Sequence, residues 1–232
     1  MTHPNGPRPK RQQSISLLSV RREPGDAGEE RVILVTDQGE ISTILHPILP
    51  DGAPGPAAVV WVGGANGGLN GPAGGLYPDL AARLTRYGLS SLRLHYRQPN
   101  HLEACVIDVL VALAWLGDAG VQRAALVGHS FGGAVVIAAG ALSPIVAMVV
   151  PLSTQTYGAE LVAQVSPRSL LFVHGTADPV LPDRCSRDLF ALAAEPKELV
   201  LYEGAGHGLD EVAAELRDLL EDRIVRALTP RY

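Results

Sequence analysis

The chain has 232 residues, 47% of them hydrophobic and 19% charged, which suits a folded domain with a large core and excludes a wholly disordered chain. Its net charge is −5, but residues 1–22 hold five Lys or Arg and no acid, so the remainder carries −10. Nucleic-acid binding needs clustered positive charge to displace counterions. An acidic body of this kind therefore disfavours a nucleic-acid partner.

The N-terminal segment differs in composition from the rest of the chain. Residues 1–13 are rich in Pro, Gln and Arg, and we expect a disordered basic tail there, followed by a single domain over residues 14–232. A secretory signal would need an apolar stretch of at least about seven residues, which this segment lacks. Two cysteines, Cys105 and Cys185, cannot staple so long a chain, and no Cys/His spacing resembles a zinc site. These features favour a cytoplasmic protein.

The first predicted elements are strands. Val32–Thr36 and Ile41–Leu45 are predicted to pair as an antiparallel hairpin around the turn Asp37–Gly39. Ala57–Val62 is a continuous apolar run, typical of a strand that is covered on both faces. A glycine-rich segment, residues 63–75, follows this strand directly.

Helical and strand patterns then alternate to the end of the chain. This alternation predicts crossover connections and a mainly parallel sheet of about eight strands, opened by the antiparallel hairpin, with helices on both faces; the fold class is α/β. Asn100 and Glu103 are spaced as a capping box at the start of the second helix. The predicted helices cover 76–87, 100–115, 131–142, 185–194 and 212–228, and the predicted strands cover 89–94, 124–127, 145–150, 170–173 and 199–202.

One uncharged stretch, residues 131–150, is long enough to span a membrane. Ser143-Pro144 divides it, because the residue before a proline is disfavoured in the helical region. We therefore expect a buried helix followed by a buried strand, and no membrane partner.

The clearest chemical motif is G-x-S-x-G at Gly128–Gly132. A short apolar strand leads into it and an apolar helix leads out, which is the setting of a nucleophile elbow. Ser130 would then stand at the carboxyl edge of the sheet, above a helix N-terminus that favours developing negative charge. The pattern predicts Ser130 as a catalytic nucleophile.

A serine nucleophile needs a histidine base and an acid that orients it. His207 follows the last strand, at the same sheet edge as Ser130, and is the predicted base; His95 and His174 end strands and are more simply expected to pin loops. The predicted acid is Asp178, in the turn after strand 170–173.

Asp183 is the alternative acid, but it is better placed as the N-cap of the following helix. With Asp178 chosen, the three residues follow the order Ser, Asp, His described for the α/β-hydrolases.

With these residues identified, the sequence resembles the α/β-hydrolase superfamily, in particular its small dienelactone-hydrolase-like and carboxylesterase-like members, over roughly residues 30–228. The matching segments are VVWVGGANGG, VGHSFGG, HGTADPVLP and GAGHG. The resemblance implies a Ser–His–Asp hydrolase that works through an acyl-enzyme and needs no metal or organic cofactor. Two positions depart from it: Gly63-Gly64 stands where many relatives have His-Gly, and residue 130 is Ser where dienelactone hydrolases proper use Cys.

Two backbone N–H groups would have to stabilise the oxyanion of a tetrahedral intermediate. Phe131, the residue after the nucleophile, should supply one. The resemblance places the other at Ala65, with Gly64 as second choice. The glycine-rich segment lacks the Lys-Ser/Thr of a nucleotide-binding P-loop.

The connection from Ser153 to Ser169 has 17 residues, too short for the cap domain that many relatives insert there. We therefore expect an open cleft and a small-molecule carboxylic ester with a small or accessible acyl group. Arg97 could bind a substrate carboxylate or could form a structural ion pair. A thioesterase, a small peptidase and a catalytically silent binding module remain alternatives. The aromatic and apolar candidates for the cleft are Trp61, Leu69, Tyr77, Phe131 and Tyr157, with Trp61 more simply a core residue.

Overall fold

Nine strands and five α-helices are present in the described residues, 15–26 and 28–229, of the computed structural model. The predicted tail over residues 1–13 lies outside these residues. The strands are β1 (Leu17–Pro24), β2 (Glu30–Thr36), β3 (Gly39–His46), β4 (Ala57–Val62), β5 (Ser90–His95), β6 (Arg123–His129), β7 (Val146–Leu152), β8 (Ser169–Gly175) and β9 (Lys197–Tyr202). The helices are α1 (Leu76–Leu84), α2 (Leu102–Asp118), α3 (Phe131–Leu142), α4 (Arg184–Leu192) and α5 (Ala213–Leu228).

All nine strands belong to one sheet, in the order β1-β2-β3-β5-β4-β6-β7-β8-β9. The pairs from β1 to β5 along this order are antiparallel, and the pairs from β5 to β9 are parallel. The predicted α/β class, with a mainly parallel sheet opened by an antiparallel hairpin, is confirmed. Because β4 to β9 are parallel, their carboxyl ends meet at one edge of the sheet.

The predicted count of eight strands is wrong by one, because β1 was not predicted. This strand lies at the edge of the sheet and pairs with β2 from Leu17 to Pro24. None of its residues is buried, so its sequence carries no alternation between a core face and a solvent face. Its charged side chains form ion pairs at the surface instead, as Arg21 does with Glu40.

Strand β4 shows why the central strands have continuous apolar sequences. Its six residues are all buried, with Ala58, Val60 and Val62 facing the core that contains α2 and α3. The alternate residues, ending in Trp61, face the second core, which contains α1 and α5. Helices on both faces therefore remove the polar face that an exposed strand would show.

The uncharged stretch over residues 131–150 forms a helix followed by a strand, as predicted. Helix α3 ends at Leu142, and Ser143 before Pro144 adopts an extended conformation. None of the described helices has the length and apolar character needed to cross a membrane. The predicted capping box before α2 is wrong, because Asn100 has a positive φ of 65° and the N-cap is His101, without a side-chain cap.

Arg97 forms a structural ion pair with Asp108 on α2. Its side chain is only 4% exposed, and that of Asp108 is fully buried. Asp108 also accepts a hydrogen bond from the backbone N–H of Arg97, at 2.8 Å. The guanidinium is thus committed to the fold and does not face the cleft as a carboxylate ligand.

We expect Asp108→Ala to lower the free energy of unfolding by about 3–5 kcal/mol, because it leaves a buried guanidinium without its partner. Asp188→Ala is the matched control, since the Arg184–Asp188 pair is 82% and 56% exposed and should contribute no more than about 1 kcal/mol. Denaturant unfolding of both variants measures the difference. Equal losses would contradict a structural role for the buried pair.

Candidate active site

Ser130 occupies a strained turn between β6 and α3. Its backbone angles are φ 59° and ψ −120°, a conformation that costs a non-glycine residue about 1–3 kcal/mol. Two hydrogen bonds hold it there: its N–H donates to Leu152 O at 2.8 Å, and its carbonyl accepts from Gly133 N at 2.9 Å. Strand β7 and the first turn of α3 therefore fix the elbow that the sequence predicts.

Three glycines bring the elbow into backbone contact with the loop after β4. A Cβ on Gly128 would lie 2.2 Å from the Gly132 carbonyl oxygen. A Cβ on Gly132 would lie 2.3 Å from Gly63 O, and one on Gly63 would lie 2.3 Å from Gly67 O. No side chain fits at these positions, so the glycines of the motif are required by close packing of backbone on backbone.

His207 and Asp178 form a hydrogen-bonded pair. The Nδ1 of His207 lies 2.7 Å from Oδ2 of Asp178, whose side chain is fully enclosed, while the His207 side chain is 19% exposed. Their loops also meet through the backbone, because Ala177 N donates to Ala205 O at 3.0 Å. The alternative acid, Asp183, binds Arg187 at 2.8 Å on the surface.

Backbone amides and two histidine rings surround the Asp178 carboxylate. Its Oδ1 accepts from the N–H groups of Val180 at 2.8 Å and Leu181 at 2.9 Å. Burial acts to raise the pKa of Asp178, but these amides and His207 outweigh it and hold the pKa below its ordinary value. The carboxylate therefore stays ionised at neutral pH and orients His207 with Nδ1–H toward it.

The buried ring of His174, on β8, also contacts the Asp178 carboxylate. Its Nε2 lies 3.2 Å from Asp178 Oδ2 and 3.0 Å from Leu181 O, while its Nδ1 lies 2.7 Å from the hydroxyl of Ser186. Two acceptors at Nε2 require the proton on that nitrogen, so Nδ1 accepts from Ser186. The prediction that His174 pins its loop is confirmed.

His129 helps to hold the His207 loop, a role that the sequence does not indicate. Its Nε2 lies 2.8 Å from the carbonyl oxygen of His207, and the two rings are 4.7 Å apart between centroids. Burial lowers the pKa of His129 to about 4, so its ring is neutral and donates this bond through Nε2–H. His129, which precedes Ser130 directly, thereby ties the His207 loop to the elbow.

The three predicted catalytic residues lie at the same sheet edge, but only two of them are bonded. Among residues 15–26 and 28–229, the Ser130 hydroxyl makes no hydrogen bond to the His207 ring. The ring is held beside the elbow through His129. Such contacts commonly tighten only when substrate binds.

The two predicted oxyanion donors lie in segments that meet at Ser130. Phe131 begins α3, and a Cβ on Gly64 would lie 3.7 Å from Ser130 Cβ, which places the residue before Ala65 against Ser130. Within the described part of the chain, neither the Ala65 nor the Phe131 N–H donates a hydrogen bond to protein. Both N–H groups could therefore donate to a bound anion.

Two side chains of β5 and one from the residue that follows it anchor the loop over residues 63–75. Arg93 donates to Leu69 O at 3.3 Å, and His95 Nδ1 accepts from Gly68 N at 3.0 Å. Tyr96, immediately after the strand, donates to Gly63 O at 3.0 Å. His95 does pin a loop, as predicted, although it is the neighbouring loop after β4.

A cleft of about 510 Å³ opens beside Phe131. Tyr157 also lines it, whereas Trp61 and Tyr77 are fully buried in the core and Leu69 is not part of its wall. Trp61 is thus a core residue, as the simpler interpretation of its sequence position predicts. Polar side chains that line the cleft include Gln98, Asn100, His101, Gln155 and Tyr157.

Solved structures share this arrangement of elements. Dienelactone hydrolase from Anabaena variabilis aligns with a TM-score of 0.73 over 90% of this chain and 99% of its own, at 18% identity. A serine hydrolase without a lid, from Xanthomonas campestris, aligns with a TM-score of 0.71 over 90% and 100%, at 19% identity. The chain has the α/β-hydrolase fold. Est1E from Butyrivibrio proteoclasticus shares it as well, with a TM-score of 0.67 over 90% and 98%, at 15% identity.

Sequence matches to curated proteins are local. A 77-residue stretch is 39% identical to the uncharacterised protein YfhR of Escherichia coli K12, covering 32% of this chain and 27% of YfhR. YfhR of Salmonella typhimurium is 37% identical over 65 residues, which is 28% of this chain and 22% of that protein. The matched region is about a quarter of the length of these relatives. No family model matches the chain.

The glycine packing of this α/β-hydrolase fold gives a direct test. We expect Gly128→Ala to lower the free energy of unfolding by about 1–3 kcal/mol, because the added methyl group would collide with the Gly132 carbonyl. Gly117→Ala in α2 is the control, since no atom lies within 4 Å of its Cβ position, and it should raise stability by about 0.5–1 kcal/mol. Chemical denaturation measures both, and a Gly128→Ala protein as stable as wild type would contradict the packing.

Proposed function

We propose that the protein is a serine hydrolase that cleaves a carboxylic ester through an acyl-enzyme, with Ser130 as nucleophile, His207 as base and Asp178 as the orienting acid. The observation that carries this proposal is the 2.7 Å bond between His207 and Asp178, on loops that meet the Ser130 elbow at one sheet edge. The α/β-hydrolase fold supports it as analogy, and the residues supply the chemistry.

In the first half-reaction, His207 Nε2 takes the proton of Ser130 as the hydroxyl oxygen attacks the ester carbonyl carbon. Asp178 keeps the imidazole in the tautomer with a free Nε2 and stabilises the imidazolium that forms. The N–H groups of Ala65 and Phe131 bind the oxyanion of the tetrahedral intermediate. When the intermediate collapses, the C–O bond to the alcohol breaks and His207 gives its proton to the leaving oxygen.

The second half-reaction repeats these steps with water. His207 removes a proton from water, whose oxygen attacks the acyl carbon of the Ser130 ester. The carbon–oxygen bond to Ser130 then breaks, the serine oxygen takes the proton back from His207, and the carboxylic acid leaves. The sharp turn at Ser130 keeps its hydroxyl accessible to the ester in the first half-reaction and keeps the acyl-enzyme accessible to water in the second.

The segment between β7 and β8 supports an accessible acyl group as the substrate. It contains one short 3₁₀ turn, Val162–Gln164, and no inserted helical domain. The cleft beside Phe131 is therefore open from outside. A small or accessible ester fits this opening better than a substrate that needs a closed lid.

The charges around the cleft favour a neutral or cationic acyl group. The residues that line it include no Lys or Arg in the described ranges, and Glu103 is its one Asp or Glu. Arg97, the cation nearest in sequence, is committed to Asp108. A carboxylate on the acyl group would therefore meet a negative charge without a cation to bind it.

Ser130→Ala should abolish the burst of p-nitrophenol that precedes steady-state turnover of p-nitrophenyl acetate, and should lower kcat about a thousandfold or more. The reason is that the variant has no oxygen with which to form the acyl-enzyme. Ser42→Ala, at an exposed position on β3, is the control and should keep both the burst and kcat. Rapid-mixing absorbance measurements report both phases.

Two results would overturn the proposal. Wild-type protein without a burst or turnover would remove the enzyme assignment. Faster cleavage of a matched thioester or aminoacyl amide, still dependent on Ser130, would keep the nucleophile and replace the ester as substrate.

Three p-nitrophenyl esters of equal length test the charge preference: a neutral acyl chain, one ending in a carboxylate and one ending in trimethylammonium. We expect kcat/KM to be lowest for the carboxylate ester at low ionic strength. Glu103→Gln should narrow the cation-to-anion ratio about two- to fivefold, the effect of one exposed charge, and salt should weaken it. Glu215→Gln, an equal charge change on α5, should leave the ratio unchanged; equal shifts in both variants would contradict a local effect.

A further inference from the structure

Tyr96 holds the start of the predicted oxyanion loop. Tyr96 follows β5 directly, and the residue is 2% exposed. Its hydroxyl donates to the carbonyl oxygen of Gly63 at 3.0 Å. Gly63 lies two residues before Ala65, the predicted donor in this loop, so the bond fixes the backbone from which that donor projects.

The ring of Tyr96 contacts the other predicted donor. Its centroid lies 6.2 Å from that of Phe131, with an angle of 86° between the ring planes. This edge-to-face arrangement is favourable for two aromatic rings. It fixes the side chain of the residue whose N–H opens α3 beside Ser130.

The two contacts converge where the loop meets the elbow. The Gly63 carbonyl oxygen that accepts from Tyr96 also lies against the first turn of α3, since a Cβ on Gly132 would be 2.3 Å from it. One phenol therefore fixes the peptide at which the two halves of the predicted oxyanion site touch. Such sites work only when their donors are held to about 0.5 Å.

We propose that Tyr96 is a positioning residue that sets the spacing between the Ala65 and Phe131 N–H groups. The proposal builds on the serine-hydrolase function above and adds a residue outside the Ser–His–Asp set. Tyr96 does not touch the substrate. It acts through Gly63 on one side and through Phe131 on the other.

Tyr96→Phe tests this role, because it removes the hydroxyl and keeps the ring. We expect kcat for p-nitrophenyl acetate to fall about tenfold, less than the loss of a whole oxyanion donor, with KM changed less than about twofold. Affinity for phenylboronic acid, which forms a tetrahedral anionic adduct with Ser130, should fall by the same factor as kcat/KM. The pH dependence of kcat/KM should keep its shape, because His207 and Asp178 are untouched.

Thr43→Val is the matched control for lost stability. The Thr43 hydroxyl is buried and donates to Val32 O at 2.7 Å, so this variant also loses one buried hydroxyl-to-carbonyl bond, between β3 and β2. It should lower the melting temperature as Tyr96→Phe does, yet keep kcat and boronic-acid affinity. If Tyr96→Phe keeps both within about twofold, or if the two variants lose them equally, the positioning role is wrong.

Amide hydrogen exchange gives a readout that does not require activity. In Tyr96→Phe, exchange should become faster both in residues 63–68 and in residues 131–135, while Thr43→Val should leave these segments unchanged. If wild-type protein neither cleaves esters nor binds the boronic acid, the proposed function fails and the exchange result alone decides the role of Tyr96. Unchanged exchange in Tyr96→Phe would overturn the role.

Discussion

The hydrogen bond between His207 and Asp178 joins two loops that follow different strands, and the candidate chemistry depends on it. The carboxylate is enclosed and accepts from two backbone amides, so it remains charged where it is buried. The ring of His174, on β8, also contacts this carboxylate. An imidazole held in this way has one fixed tautomer, which is the condition for a histidine to act as a base toward a neighbouring hydroxyl.

The Ser130 side of the candidate site depends on a different constraint, the close approach of backbones at the elbow. Ser130 has a positive φ that its neighbours enforce. No side chain would fit at Gly63, Gly128 or Gly132, because backbone packs directly against backbone there. Strain of this kind persists only where surrounding structure over-determines it. Here the same packing brings Gly64, the residue before the predicted donor Ala65, against Ser130.

Much of this could be predicted from sequence, for reasons that particular segments make plain. The apolar run at Ala57–Val62 and the motif around Ser130 specify a central strand and an elbow because burial on both faces and a sharp turn each constrain the residues directly. Strand β1 buries none of its residues, so its sequence has no apolar alternation that would predict a strand. Asn100 has a positive φ, which the spacing of a capping box does not indicate.

The contacts that complete the site were beyond prediction because they join distant residues. His129 meets the His207 carbonyl across 78 positions of sequence, and Tyr96 meets Gly63 across 33. Neither pair has a spacing motif. Gly63 and Tyr96 follow the neighbouring strands β4 and β5, whereas β6 and β9, which lead to His129 and His207, are separated by β7 and β8. The fold can therefore be predicted from the hydrophobic periodicity of the sequence, whereas the contacts that support the site depend on how distant segments are arranged in space.

If His207 activates Ser130 at the sheet edge, the serine hydroxyl should react with a fluorophosphonate. We expect one phosphonyl group per chain, mapped to the peptide that carries Ser130, and a rate of labelling about a hundredfold lower in His207→Gln. Absence of labelling, labelling at another residue, or an unchanged rate in His207→Gln would show that His207 does not activate Ser130.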